Sequence, residues 1–190
     1  MWVIACSAAG GVAVLGTGGA LFSTLSPSGR TRVEAAPVEL DLVDMKPGDV
    51  RTVVWRGKPV WVVRRSAQML ANLAALNVQL ADPYSERKPD QLTPAYARNL
   101  HRSIRPEYFV AVGVCSHLGC SPVARLDAGA QPSLPDDWRG GFLCPCHGST
   151  FDVAGRVFAN KPASDNLEVP PHTYVSDTRI LIGVDKSDDA

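Results

Sequence analysis

The sequence predicts an all-β head of short antiparallel strands, with one helix-containing insertion, carried behind a single N-terminal transmembrane helix. Three observations predict it. The first 29 residues contain no Lys, Arg, Asp or Glu. Beyond residue 37, short apolar runs are parted by polar turns, in a 190-residue chain with 16 Gly and 15 Pro. Four of the five cysteines and two of the four histidines fall in two short loops, residues 115–120 and 144–149.

The N-terminal stretch comes first. Residues Trp2 to Leu25 are mostly Ala, Gly, Val and Leu. About 20 such residues, at roughly 1.5 Å each, cross a hydrocarbon layer of about 30 Å. A secretory signal would have a shorter apolar region behind a basic flank. A buried core helix would be shorter and more amphipathic. We therefore expect residues 1–25 to be an uncleaved membrane helix. Small residues four apart, Ser7/Gly11 and Gly16/Ala20, would let a partner helix approach closely. Cys6 reads as a small hydrophobe. Ser26 to Pro37 has no periodicity and reads as a flexible hinge linker. Arg30 and Arg32 follow the span and no Lys or Arg precedes it, so charge alone would put the C-terminal side in the cytoplasm.

Residues 38–190 form the expected head. Val38–Val43 and Val50–Trp55 alternate as strands do. Val60-Trp61-Val62-Val63 follows across Arg56-Gly57-Lys58-Pro59, an expected hairpin turn. Ser66 to Leu76 has helical spacing at Met69, Leu70, Leu73 and Leu76, with Ser66 as N-cap. Residues 81–105 are polar and Pro-bearing, which predicts an irregular surface insertion with one helical turn. Tyr108–Val114 and Gly141–Leu143 each run into one Cys/His loop. Arg156–Phe158, Leu167–Val169 and Arg179–Val184 read as further strands. Such strands pack as a barrel or sandwich. Net charge is zero, which excludes a basic nucleic-acid stripe. His101 and His172 lie outside the loops and are read as surface histidines without function.

The loops read Cys115-Ser116-His117-Leu118-Gly119-Cys120 and Cys144-Pro145-Cys146-His147-Gly148-Ser149. Two Cys and two His at this spacing could grip a metal, and a remaining Cys in each loop could tie the loops together. Thiolates and imidazoles suit zinc or iron–sulfur centres. Zinc modules usually space their ligands as C-x₂₋₄-C and H-x₃₋₅-H. The spacings here, C-x-H-x₂-C and C-x-C-H, are instead those of a two-iron centre in which two His replace two Cys on one iron.

On these loops, and on Tyr108 to Cys120 and Asn166-Leu167-Glu168-Val169-Pro170, the sequence resembles the Rieske iron–sulfur subunits of bacterial cytochrome bc complexes. The resemblance covers nearly the whole chain. It implies a head with a small cluster-binding subdomain and a Rieske-type 2Fe-2S cluster. Cys115 and Cys144 would bind the buried iron, and His117 and His147 the outer one. Cys120 and Cys146 would form a disulfide clamping the loops. Rieske oxygenase domains usually lack that extra pair. The long insertion before Cys115 favours a bc complex over the plastoquinol-oxidising complex of photosynthetic membranes. The resemblance further implies a subunit of a quinol–cytochrome c reductase, in a dimeric complex with a cytochrome b subunit and a c-type cytochrome. There His147 would contact the quinol and accept its proton, the cluster would pass the electron to a c-type haem, and the head would swing on the linker. A persistent disulfide needs an oxidising compartment. That places the head on the periplasmic side of a bacterial cell membrane, against the charge argument.

Four further positions follow from the resemblance. Leu118 would shield the cluster. Ser149 matches the family serine that hydrogen-bonds a bridging sulfide. Phe151 stands where many members carry a Tyr whose hydroxyl bonds a cysteine sulfur, so it either fills the same core slot or removes one donor and lowers the potential. Pro162, in Asn160-Lys161-Pro162-Ala163, would form the third wall, although the stretch departs from the usual Gly-Pro-Ala-Pro.

Overall fold

The computed structural model describes residues 2–25 and 36–185, without the side chains of residues 2–10 and 12. Its contacts divide the chain into two units, residues 1–36 and 37–190. In the first, helix α1 spans Trp2–Thr24. Thr17, Ser23 and Thr24 donate their hydroxyls to the α1 carbonyls of Ala13, Ala20 and Leu21. Among the described residues no helix is long and apolar enough to cross a membrane. The expectations for Cys6 and Ser7 rest on side chains that are not described, and those for residues 26–35 of the linker lie outside the described residues.

The second unit is mostly β, in short antiparallel strands with a few helices. Nine strands are described: β1 Val38–Asp41, β2 Val50–Trp55, β3 Lys58–Arg64, β4 Tyr108–Val112, β5 Val123–Arg125, β6 Gly141–Leu143, β7 Thr150–Asp152, β8 His172–Tyr174 and β9 Arg179–Ile182. They form three three-stranded sheets, ordered β1–β9–β8, β2–β3–β4 and β5–β6–β7. The β2–β3 hairpin turns on two residues, Arg56 (φ 51°) and Gly57 (φ 71°). This left-handed pair matches the twist of the flanking strands, so Lys58 and Pro59 belong to β3 rather than to the turn. Helix α2, Ala67–Leu76, starts where expected, with the Ser66 hydroxyl accepting the Met69 N–H at 3.2 Å.

Strands β3 and β4 bury both faces, which is why their sequences are continuous apolar runs. Val60, Val62, Tyr108, Val110 and Val112 join a core with Leu42, Met45, Trp55, Ile180 and Ile182. Trp61, Val63, Phe109 and Ala111 join a second core that contains Cys115, Phe142, Cys144 and Phe151. Period-2 alternation along two strands therefore separates a base, on one face, from the part of the head that bears the loops.

Several expectations are corrected. Arg156–Phe158 makes only isolated bridges, from Val157 to Phe151 and from Phe158 to Leu80. Leu167–Val169 is a buried connection, not a strand. Its backbone bonds go to different partners: Leu167 N–H to Gly155, Val169 N–H to Leu92, and the Glu168 carbonyl from Val112. The insertion holds helix α3, Pro89–Leu92, and a 3₁₀ turn, Ala95–Ala97. It is not purely a surface feature. Asp82, Ser85, Thr93, Ala97, Arg102 and Ser103 are all buried. His172 is also buried. Its Nδ1 lies 2.8 Å from the Pro170 carbonyl and its ring meets Tyr96 edge-on. Burial pushes its pKa down.

Candidate metal centre

Strand β4 leads through Gly113 and Val114 into the first loop, and β6 leads directly into the second. Both loops close with the same backbone pattern. Cys115 N–H donates to the Cys120 carbonyl at 2.8 Å, and Gly119 N–H to the Cys115 carbonyl at 3.0 Å. Cys144 N–H donates to the Ser149 carbonyl at 2.8 Å, and Gly148 N–H to the Cys144 carbonyl at 3.0 Å. Gly119 (φ 82°) and Gly148 (φ 72°) hold the left-handed conformation that ends each turn, where a side chain would be strained. The two loops are thus one frame used twice. The side chains on it differ: His occupies the third position of the first loop and the fourth of the second.

Depth sorts the chemistry. Cys115 and Cys144 are buried, free thiols in the second core. His117 is half-buried and His147 exposed, with ring centroids 4.8 Å apart and planes at 89°. Leu118 is 72% exposed at the same end. Cys120 and Cys146 form a disulfide between the loops, 26 residues apart in sequence. Ser149 is fully buried, and its hydroxyl accepts the Ala163 N–H at 3.0 Å. Pro162 lies exposed in a third loop, beside buried Ala163. Phe151 fills the core, paired in register with Phe142.

Burial pushes the Cys115 thiol up, opposed by hydrogen bonds from the His117 backbone and the Ser149 hydroxyl. Two adjacent buried thiols of this kind ionise only with a compensating positive charge, which a metal supplies. The sulfurs of Cys120, Cys144 and Cys146 also lie within 4.8 Å of one another. Two of these are spent in the disulfide and offer no thiolate, so this closeness places the clamp against a buried thiol and makes no second site. The donor set left over is two thiols deep and two imidazoles outward, which fits a Rieske cluster.

A model of the Rieske [2Fe-2S] domain matches residues 82–171. The ubiquinol–cytochrome c reductase iron–sulfur subunit of Allochromatium vinosum is 52% identical over 178 residues, covering 92% of this chain and 84% of that protein. The protein of the same description from Bradyrhizobium diazoefficiens is 36% identical over 180 residues, covering 93% and 90%. The chain belongs to the family of Rieske iron–sulfur subunits of bacterial ubiquinol–cytochrome c reductase. Its cofactor is a Rieske-type 2Fe-2S cluster. A chain of a hyperthermophilic respiratory complex III aligns over 95% of this chain and 99% of its own length, with a TM-score of 0.49 and 24% identity.

The structure also brings residues to the site that the motifs did not flag. Ser116, between Cys115 and His117, bonds the main chain of Asp165. Arg102 donates to the carbonyls of Ala154, Gly155 and Leu167 and to the Thr93 hydroxyl. Arg156 and Asp152 form a fully buried pair at 2.7 Å beyond the second loop. Only the pair four residues apart left any trace in the sequence.

Proposed function

We propose that this chain is the electron-transfer subunit of a membrane quinol–cytochrome c reductase. It would carry electrons from quinol at a cytochrome b subunit to a c-type cytochrome and so contribute to the proton-motive force. The observation that carries the reading is the depth order of the two clamped loops, thiols inside and imidazoles at the open end. Cys115 and Cys144 would hold the inner iron, and His117 and His147 the outer iron. The bound cluster supplies one-electron chemistry at a potential raised by neutral imidazole ligands, roughly −150 to +300 mV. Buried Cys115 and Cys144 keep water from the deep end. Exposed His147 presents its imidazole to a partner, where it can accept a hydrogen bond and then a proton from the quinol hydroxyl. Leu118 adds an apolar contact beside it.

The disulfide supports a head in an oxidising compartment, hence the periplasmic side. Helix α1 is the proposed single-pass anchor. It carries no charge, and its described hydroxyls bond within the helix, as a lipid environment requires. Purification of the full chain from its native membranes tests the proposal. A cytochrome b and a c-type cytochrome are expected to accompany it in a dimeric complex, and His147→Ala is expected to abolish quinol oxidation. Recovery without cytochromes, or full quinol oxidation in the variant, would contradict it.

A further inference from the structure

A third loop, residues 159–166, touches both cluster loops and the insertion. Ala163 N–H reaches Ser149 of the second loop. Ser116 of the first loop donates its hydroxyl to the Asp165 carbonyl at 2.7 Å and accepts the Asp165 N–H at 3.3 Å. On the other side stands the insertion turn at 82–88. Arg87 donates to the Ser164 carbonyl at 2.9 Å, and the Asn166 amide donates to the Asp82 carbonyl and the Ser85 hydroxyl. Lys88 Nζ lies 2.8 Å from Asp165 Oδ2. Lys88 itself holds a left-handed backbone (φ 52°). A non-glycine residue keeps that conformation only where its surroundings over-determine it.

The Asp165 side chain is 11% exposed and the Lys88 side chain 53% exposed. A nearly buried carboxylate that loses its cation must find water. Without Lys88, Asp165 Oδ2 keeps only the Ser164 hydroxyl at 2.8 Å. Turning the carboxylate further toward water draws on the Asp165 peptide that Ser116, between Cys115 and His117, holds at both its N–H and its carbonyl. We propose that the Lys88–Asp165 ion pair is a latch by which the insertion positions the first cluster loop. Lys88 and Asp165 are positioning residues, and Ser116 is the point through which they act. This rests on the reading of Cys115 and His117 as ligands.

The test is a redox titration, followed by electron paramagnetic resonance, of the cluster-loaded full chain in four forms. These are the unaltered protein, Lys88→Met, Ser116→Ala and the double variant. A latch shifts the midpoint in each single variant and leaves the double variant at the Ser116→Ala value, because contacts acting through one point are not additive. Two shifts that add, as independent charge effects do, overturn the latch. So does an unaltered midpoint in Lys88→Met. Hydrogen exchange at the Asp165 amide gives a readout independent of the cluster. The latch predicts faster exchange in Lys88→Met, and unchanged exchange overturns it. An unaltered chain without a Rieske signal refutes the ligand assignment instead, and the exchange measurement then decides the latch.

Discussion

The two faces of the β2–β3–β4 sheet are held by different chemistry. On the base side, Leu42, Met45, Val60, Val62, Val110, Ile180 and Ile182 pack with no buried charge among them. Around the loop-bearing part, the strands are three residues long and the fastening is polar. Arg156 pairs with Asp152 and donates to the carbonyls of Leu73 and Pro83 and to the Asn77 side chain. Arg65 reaches the carbonyls of Pro106 and His101 and the Ser103 hydroxyl. Burial lowers Arg65 to about 9 and Arg102 to about 10, with Asp152 opposing both shifts. A base assembled by area tolerates small losses at many points. A part assembled by directed bonds fails when one donor is removed, but it fixes the loops in one geometry. Whether burying charge secures that geometry is our hypothesis, and the variants below test it.

The largest effect is expected from Arg156→Met. It leaves the buried Asp152 carboxylate without its cation, with only the N–H groups of residues 154 and 156 on Oδ1, which costs about 3–5 kcal/mol. Ile180→Val, in the base, should cost only about 0.5–1.5 kcal/mol. Denaturant unfolding with cluster absorbance checks both. Equal costs, or cluster retention in Arg156→Met, would erase the contrast. Next comes Cys120→Ser. Opening a closure of this length costs about 3–4 kcal/mol in the chain-entropy account, and the loss should appear first as faster release of the cluster. Unchanged release would mean that the backbone frames hold the loops alone.

Phe151→Tyr sharpens the same contrast by adding a directed bond to the loop-side core. One hydrogen bond of about 1–2 kcal/mol to a cysteine sulfur raises a one-electron potential by roughly 40–90 mV. A voltammetric midpoint that does not rise would show that Phe151 is only a core residue. The smallest effect concerns pH. His172 has a folded pKa below the ordinary 6.5, through burial. Below about pH 6.5 the unfolded chain therefore binds a proton that the folded chain refuses, and stability falls as pH drops. His172→Gln should flatten that slope in thermal unfolding. It should not abolish it, because His101 is shifted the same way by its partial burial and by Arg65. An identical slope in the variant would place the titration elsewhere.

The metal chemistry was legible because its spacing is local: each loop is six residues, and residue type alone separates thiol from imidazole. Strands β3 and β4 were legible because burial of both faces leaves an unbroken apolar run. Strand β5 was not, because all three of its residues are exposed and it lies in the sheet by pairing with β6 alone. Leu167–Val169 looked like a strand because apolar burial has the same composition whether or not a neighbour is paired. The latch could not be read at all. Lys88 and Asp165 are 77 residues apart, and each alone is an ordinary charged residue in a polar stretch. Arg65 and Arg102 escaped for the same reason, since most of their partners are distant carbonyl groups, which carry no side-chain signature.

In the proposed centre four side chains hold a two-iron cluster, and the other two cysteines clamp the loops. An electron paramagnetic resonance spectrum of the dithionite-reduced full chain tests this most directly. We predict the rhombic signal of a cluster ligated by two thiolates and two imidazoles, lost in His117→Ala and in Cys144→Ser. A silent spectrum from metal-loaded protein, as zinc would give, would contradict it.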